Sequence, residues 1–240
     1  MEFWARQDLE KLADTILLDC FADGYEKDHM PTNIDLLAEK YLGLNVSYMR
    51  LSEDGSILGL TTYADVNVEF NRYGKNEIVA VKKDSVILEK ELLTGHNGRR
   101  RFTVAHEAAH QIVFRADRSG TAQMNYLKHL PNKQSYSLRE LHGAEDWCEW
   151  QANTLGAALL MPARTVHFWM YRFNGNKVLV RYGRRFNYMD HGVLDNLTNA
   201  LAVSRTALVI RLTQLGYICQ RPESEYCDPL DVFPDPGEVF

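Results

Sequence analysis

The stretch RFTVAHEAAHQIVF, residues 101–114, places two histidines four positions apart, with a glutamate directly after the first. Its apolar residues recur at the spacing of one helical face, which predicts a helix that begins near residue 98. Four residues turn about 400° along an α-helix, so His106 and His110 point the same way, one turn apart. Glu107 lies about 100° round the helix from His106. The stretch therefore predicts two imidazoles that face a common point, with a carboxylate beside them.

This arrangement fits a catalytic zinc ion. Two imidazoles one helical turn apart can both reach one Zn²⁺ at ~2.0–2.1 Å. Glu107 can then take a proton from a zinc-bound water, whose pKa the metal has lowered. The pattern is the HExxH motif of zinc metallopeptidases. Two core histidines can also fall four apart by accident. In a chain with eight histidines, such a match is expected on the order of once in a hundred cases.

A catalytic zinc needs a third protein ligand, and a second helix supplies a candidate. The sequence AEDWCEWQANTLGAALLMP, residues 144–162, is apolar nearly all the way round, which predicts a buried helix. A carboxylate inside such a helix needs a partner, and zinc would be one for Glu149. Asn153, one turn further on, could hold the free nitrogen of a ligand histidine. A surface acid near a helix N-terminus is the alternative for Glu149. The other candidate third ligands are His129, His142 and Cys148.

Two of these stretches resemble the ImmA/IrrE family of bacterial metallo-endopeptidases: RRRFTVAHEAAH, residues 99–110, and EWQANTLGAALLMP, residues 149–162. The resemblance extends over residues 31–218, approximately. The chain departs from the family pattern at Ala108-Ala109, where an apolar residue and a glycine are common, and at Thr154-Leu155-Gly156.

The resemblance implies a zincin-like fold and a set of roles for the quoted residues. His106, His110 and Glu149 would be the zinc ligands, and Glu107 would be the general base. The family also implies an intracellular protein of bacterial or phage origin. Such a protein would cleave a transcriptional repressor or another regulatory partner, rather than digest proteins in general.

The rest of the sequence predicts an α+β protein in which a small, mostly antiparallel sheet packs on the two zinc-site helices. Short runs rich in β-branched and aromatic residues, NVSYMRL, ILGLTTY, DVNVEF and EIVAV, predict the strands. An edge strand would hold an extended substrate by strand addition. We expect one metallopeptidase domain over residues 1–220 and an acidic, Pro-rich tail over residues 221–240. Within the domain we expect N-terminal helices, the sheet, the zinc-site helices and C-terminal helices, over residues 1–45, 46–93, 98–162 and 163–218.

A long polar segment, residues 116–143, separates the two zinc-site helices. A connection of that length inside a domain is often functional. A peptidase also has to stabilise the oxyanion of its tetrahedral intermediate. The segment offers four side chains that could reach over the site, although each is more often an ordinary loop residue: Tyr126, His129, Tyr136 and His142.

Other functions fit parts of the sequence. A helix pair over residues 195–216, with ALAVSRTALVIRL at its centre, is similar to a DNA-binding helix-turn-helix. Its candidates for base contacts are Arg205, Arg211 and Gln214, but packing on the peptidase core explains its apolar positions better. A basic, aromatic stretch over residues 171–188 could contact an acidic partner or form a solvated hairpin, onto which the acidic tail could fold back. A repressor-binding protein that does not cut is the remaining alternative, although all four predicted site residues are intact.

Composition and charge exclude several classes of protein. The net charge of −5 gives no basic field for nucleic acid or an anionic membrane surface. No run approaches the ~20 apolar residues of a membrane span, and the start, MEFWARQDLEKL, lacks the features of a signal peptide. The four cysteines form no CxxC pair, which favours reduced thiols. We therefore expect a cytoplasmic protein with a Zn²⁺ cofactor and a protein substrate. The sequence does not indicate an oligomeric state.

Overall fold

The computed structural model describes residues 4–22, 29–52, 54–72, 75–95, 97–116 and 144–227, which form helices and short strands. The helices are α1 Arg6–Phe21, α2 Ile34–Leu36, α3 Asn97–Ala116, α4 Ala144–Leu160, α5 Ala163–Asn174, α6 Tyr188–Leu201 and α7 Arg205–Gln214. A π-helical turn, Leu37–Tyr41, continues α2. The strands are β1 Asn45–Met49, β2 Gly59–Thr61, β3 Val66–Arg72, β4 Lys75–Val81, β5 Ser85–Glu89, β6 Leu179–Tyr182, β7 Arg185–Phe186 and β8 Ile218–Arg221. None of the described helices is both long and apolar enough to cross a membrane.

Helix α3 is the central element of the core. Almost every residue from Arg101 to Val113 is buried, polar and apolar residues alike. One side packs against α4, and the other packs against β2 and β5. A helix enclosed in this way holds its polar side chains inside the protein, where each of them needs a partner.

The sheet against α3 is mixed, which corrects the prediction of one mostly antiparallel sheet. Its order is β1-β5-β2, with β5 parallel to β1 and antiparallel to β2. Strands β3 and β4 form a separate antiparallel hairpin. All five residues of β5 are buried, as expected of a central strand that is covered on both faces. Such a strand lacks the alternation of apolar and polar residues that helps to reveal pairing in a sequence.

A third sheet, β7-β6-β8, lies in the region that the sequence predicts as C-terminal helices. Strand β6 is antiparallel to β7 and parallel to β8, so the chain returns to it after α6 and α7. The first acidic residues after β8 fold back onto this sheet. Glu223 pairs with Arg185 at 3.3 Å, and the ring of Tyr226 packs on Tyr182. Residues 228–240 of the predicted tail lie outside the described residues.

The turn between α6 and α7 fixes the N-terminus of α3. Gly98 approaches this turn so closely that a Cβ atom there would lie 2.6 Å from the backbone of Val203. The buried Arg101 guanidinium donates to the carbonyl oxygens of Ala202, at 3.0 Å, and Thr32, at 2.8 Å. The C-terminal helices therefore hold the central helix in place from one end.

Two of the three candidates for base contacts in the alternative DNA-binding function are bonded within the protein. Arg211 is completely buried, donates to the carbonyl oxygen of Met161 at 2.9 Å and pairs with Glu10. Arg205 pairs with Asp195 at 2.5 Å. A buried, bonded side chain such as Arg211 is not available to base edges. Packing within the protein thus accounts for Arg211, whereas Arg205 forms an ion pair at the surface.

Candidate metal centre

Two neighbouring helices bring three predicted metal ligands together. His106 and His110 lie one turn apart on α3 and are buried, and Glu149 lies on α4. The Nε2 atoms of the two histidines are 3.0 Å apart. Each Nε2 also faces a different oxygen of Glu149, at 3.4 Å for His106 and 3.1 Å for His110. The donor atoms of all three side chains converge between the two helices.

The distances between these donor atoms fit a single metal ion. Ligand atoms at ~2.0–2.1 Å from a tetrahedral zinc lie roughly 3.3 Å from one another. The two Nε2 atoms are 3.0 Å apart, and each lies 3.1 or 3.4 Å from one of the two Glu149 oxygens, which is close to that value. Two imidazole nitrogens and a carboxylate also leave a coordination position for water or substrate. By its geometry and its chemistry, the group could hold a metal ion.

The charges around the group favour a cation. Burial raises the pKa of Glu149, but the hydrogen bonds and charges of His106 and His110 together outweigh this effect, and the pKa is well below its usual range. Burial lowers the pKa of His106, but the hydrogen bond to Glu149 and the charges of Glu107 and Glu149 together outweigh it, and the pKa is raised. An ionised carboxylate therefore faces two imidazole nitrogens, which is a favourable set of donors for a cation.

Glu107 lies beside the group, and its carboxylate is pressed against β2. A Cβ atom on Gly59 would lie only 2.5 Å from Glu107 Oε1, so a side chain at this point of the strand would displace the carboxylate. Burial raises the pKa of Glu107, the charges of His106 and His110 lower it by less, and the net shift is upward. Sequence reasoning missed Gly59, although an isolated glycine within a strand pattern can signal close backbone approach.

Asn153 lies one turn beyond Glu149 on α4, next to His106. Its side chain contributes to the raised pKa of His106. Within the described residues, however, neither amide atom of Asn153 nor Nδ1 of His106 completes a hydrogen bond, and all three atoms are buried. A histidine that binds a metal through Nε2 carries its proton on Nδ1 and needs an acceptor there. Asn153 Oδ1 is placed to become that acceptor.

We expect Asn153→Ala to weaken zinc binding by roughly 10- to 100-fold, because the ligand histidine loses the side chain that orients it. Competition with a zinc chelator measures the change. Asn199→Ala, at an exposed position of α6, is the control and should bind zinc as the wild type does. Equal zinc affinity in the two variants would contradict the orienting role of Asn153.

Gly156 lets α3 and α4 approach each other closely enough to share the group. It lies two turns beyond Glu149, on the side of α4 that meets α3. A Cβ atom on Gly156 would lie 3.2 Å from the backbone of Ala105 and His106, closer than ordinary van der Waals contact. Residues 154–156 depart from the ImmA/IrrE pattern, and in this chain the glycine stands where the two helices cross.

We expect Gly156→Leu to destabilise the protein by roughly 1–3 kcal/mol, because the larger side chain forces the two helices apart. Gly192→Leu on α6 is the matched control, since a Cβ atom at that position meets nothing within 4 Å. The control should keep its stability or gain slightly, because leucine is a better helix former than glycine. Urea unfolding measures both variants. An equal loss of stability in the control would contradict the close helix crossing.

Of the five other candidate residues, the structure describes only Cys148. Four of them, proposed as oxyanion stabilisers, lie outside the described residues: Tyr126, His129, Tyr136 and His142. Cys148 is buried next to Glu149, but the donor atoms that converge belong to the two histidines of α3 and to Glu149. Among the proposed third ligands whose positions the structure describes, Glu149 is thus the one that faces both imidazoles.

Comparison with known proteins gives no match, since no family model matches this chain and no curated protein is significantly similar to it. The resemblance to the ImmA/IrrE family therefore rests on the quoted motifs, and membership of that family stays a prediction. The structure itself shows an α+β fold with a His-His-Glu group that could hold a metal ion.

Proposed function

We propose that this protein is an intracellular zinc-dependent endopeptidase. The observation that carries the proposal is the meeting of His106, His110 and Glu149 around one point, with Glu107 beside them and outside the group. Structural zinc sites have four protein ligands, whereas catalytic sites have three and an open position. When bound, Zn²⁺ would polarise the substrate carbonyl and lower the pKa of a water molecule.

Glu107 would carry the proton in this reaction. It would accept a proton from the attacking water as the water oxygen bonds to the carbonyl carbon. It would pass that proton to the amide nitrogen as the C–N bond breaks. Its place next to the group, without belonging to it, supports this role. The contact with Gly59 fixes where the carboxylate stands.

The outer edge of β2 would bind the substrate. Backbone hydrogen bonds of Leu58 and Thr62 run to β5. The alternation of an antiparallel ladder therefore leaves the N–H and C=O groups of Gly59 and Thr61 on the opposite edge. No strand of the described residues pairs with that edge. An extended peptide that added there would lie beside Glu107.

The substrate would be a regulatory protein, with a transcriptional repressor as the first candidate. The sequence motifs that resemble ImmA/IrrE enzymes support this part of the proposal. A cytoplasmic location agrees with such a substrate and with the cysteines, since none of the four forms a disulfide. The buried state of Arg211 argues against a DNA-binding function for the C-terminal helices.

Incubation of the zinc-loaded protein with purified candidate repressors tests the proposal. We expect one repressor to be cut at a defined peptide bond, which mass spectrometry detects as two complementary fragments. A zinc chelator should stop the cut, and added Zn²⁺ should restore it. Binding of a repressor without fragments, at full zinc occupancy, would instead favour a protein that senses the repressor without cleaving it.

A further inference from the structure

Gln111 directly follows His110 on α3 and is completely buried. Its Nε2 donates to Thr61 Oγ1 at 2.7 Å and to the carbonyl oxygen of Thr62 at 2.9 Å. Both acceptors belong to β2 or to the residue that follows it. Gln111 does not belong to the metal-binding group, and its Oε1 is buried without a hydrogen-bond partner among the described residues. The side-chain amide of Gln111 therefore bonds to β2 and to the residue that follows it.

Gln111 and Glu107 both contact β2, and their spacing along α3 nearly matches the spacing of the two strand residues that they contact. Four residues along a helix rise about 6 Å, which is the separation of Glu107 and Gln111. Two residues along a strand rise about 6.6–6.8 Å, which is the separation of Gly59 and Thr61. Gly59 meets Glu107 at one end of this match, and Thr61 meets Gln111 at the other. A slip of one residue would turn both contacts to the wrong face of the strand.

Strand β2 needs such an attachment because it is short and lies at the edge of the sheet. It has three residues, and among the described strands β5 alone pairs with it. The two hydrogen bonds from Gln111 attach it to the helix that carries the histidines. These hydrogen bonds thereby fix the distance between β2 and α3 close to the point where the strand approaches Glu107.

We propose that Gln111 is a positioning residue that holds the outer edge of β2 in register with Glu107. An extended peptide bound by Gly59 and Thr61 then presents its carbonyl carbon at a fixed distance from the carboxylate. This inference rests on the proposed endopeptidase function. It assigns Gln111 no contact with the substrate or the metal.

The test compares two buried glutamines. Gln111→Met keeps the length and most of the volume of the side chain and removes its hydrogen bonds to β2. Gln151→Met is the matched control, because Gln151 is equally buried, lies two residues from Glu149 and bonds to the backbone nitrogen of Trp4 at 2.9 Å. Zinc content, stability and amide exchange in residues 58–62 are measured in both variants. A mixture of peptides from a digested proteome is first incubated with the wild type, and the peptide that is cleaved fastest is identified. The activity of every variant is then measured on that peptide.

We expect Gln111→Met to retain zinc and to lower kcat/KM by roughly 10- to 100-fold, because the peptide and Glu107 are no longer aligned. Amide exchange in residues 58–62 should become faster. Gln151→Met should match the wild type in both measurements, although the two variants lose similar stability. On the strand side, Thr61→Val removes the hydroxyl that accepts from Gln111 and should lower kcat/KM in the same way. This variant decides the matter if Gln111→Met does not fold.

Unchanged kcat/KM and exchange in Gln111→Met, or an equal loss of kcat/KM in Gln151→Met, would overturn the positioning role. Failure of the proposed function has a different signature. In that case the zinc-loaded wild type cleaves no peptide, while the difference in amide exchange between the two glutamine variants persists.

Discussion

Replacing His110 with alanine is expected to abolish zinc uptake. The wild-type protein should bind about one zinc ion per chain, because three donor atoms already lie within 4.8 Å of one another. The variant keeps His106 and Glu149, and two ligands hold zinc far more weakly than three. Metal analysis after dialysis against a zinc buffer measures the difference.

His167→Ala is the matched control for this experiment. His167 is an exposed histidine of α5 that bonds to the Tyr217 hydroxyl and lies outside the metal-binding group. This variant should take up zinc as the wild type does. Unchanged zinc content in His110→Ala would remove His110 from the ligand set.

Glu107→Gln should retain zinc and the fold, and it should lose activity by on the order of 10²-fold or more, since an amide cannot accept the proton. Glutamine has the shape of glutamate, so the close contact with Gly59 is preserved. Alanine at residue 107 would also remove the side chain that contacts β2. A loss of activity could then come either from the missing base or from a displaced strand. Cleavage rates at equal zinc occupancy are the measurement.

Glu91→Gln, on the 3₁₀ turn Lys90–Leu93, is the control for the loss of one carboxylate, because Glu91 is exposed. It should cleave at the wild-type rate. Full activity in Glu107→Gln would mean that another group takes the proton. Loss of zinc from that variant would mean that Glu107 is a ligand rather than the base.

The His-His-Glu group could be predicted from the sequence because much of its geometry is local. His106 and His110 share a helix face by virtue of their spacing, and the same is true of Glu149 and Asn153. The meeting of the two helices does not follow from spacing. It was expected because a buried carboxylate needs a partner and because the two motifs resemble one family. The structure adds the physical means of the approach, a glycine at residue 156.

Strand pairing was less predictable because it joins residues that are far apart in the sequence. Asn45 pairs with Ser85 and Leu179 pairs with Ile218, and no turn signal connects either pair. The approach of Gly59 to Glu107 is non-local in the same way, since it exists only once β2 lies on α3. Local periodicity identified the strands before β5, but it could not assign their neighbours.

The ion pair between Glu10 and Arg211 has a consequence for the synthesis of the protein. These residues are 201 positions apart, so the ribosome makes Arg211 long after Glu10. At ~5–20 residues per second, roughly 10 to 40 s pass between the two. During that time the apolar side of α1, which includes Leu9 and Leu17, has to wait for partners made later. A transcript that ends before codon 211 would therefore leave Glu10 of the N-terminal helix without its ion-pair partner.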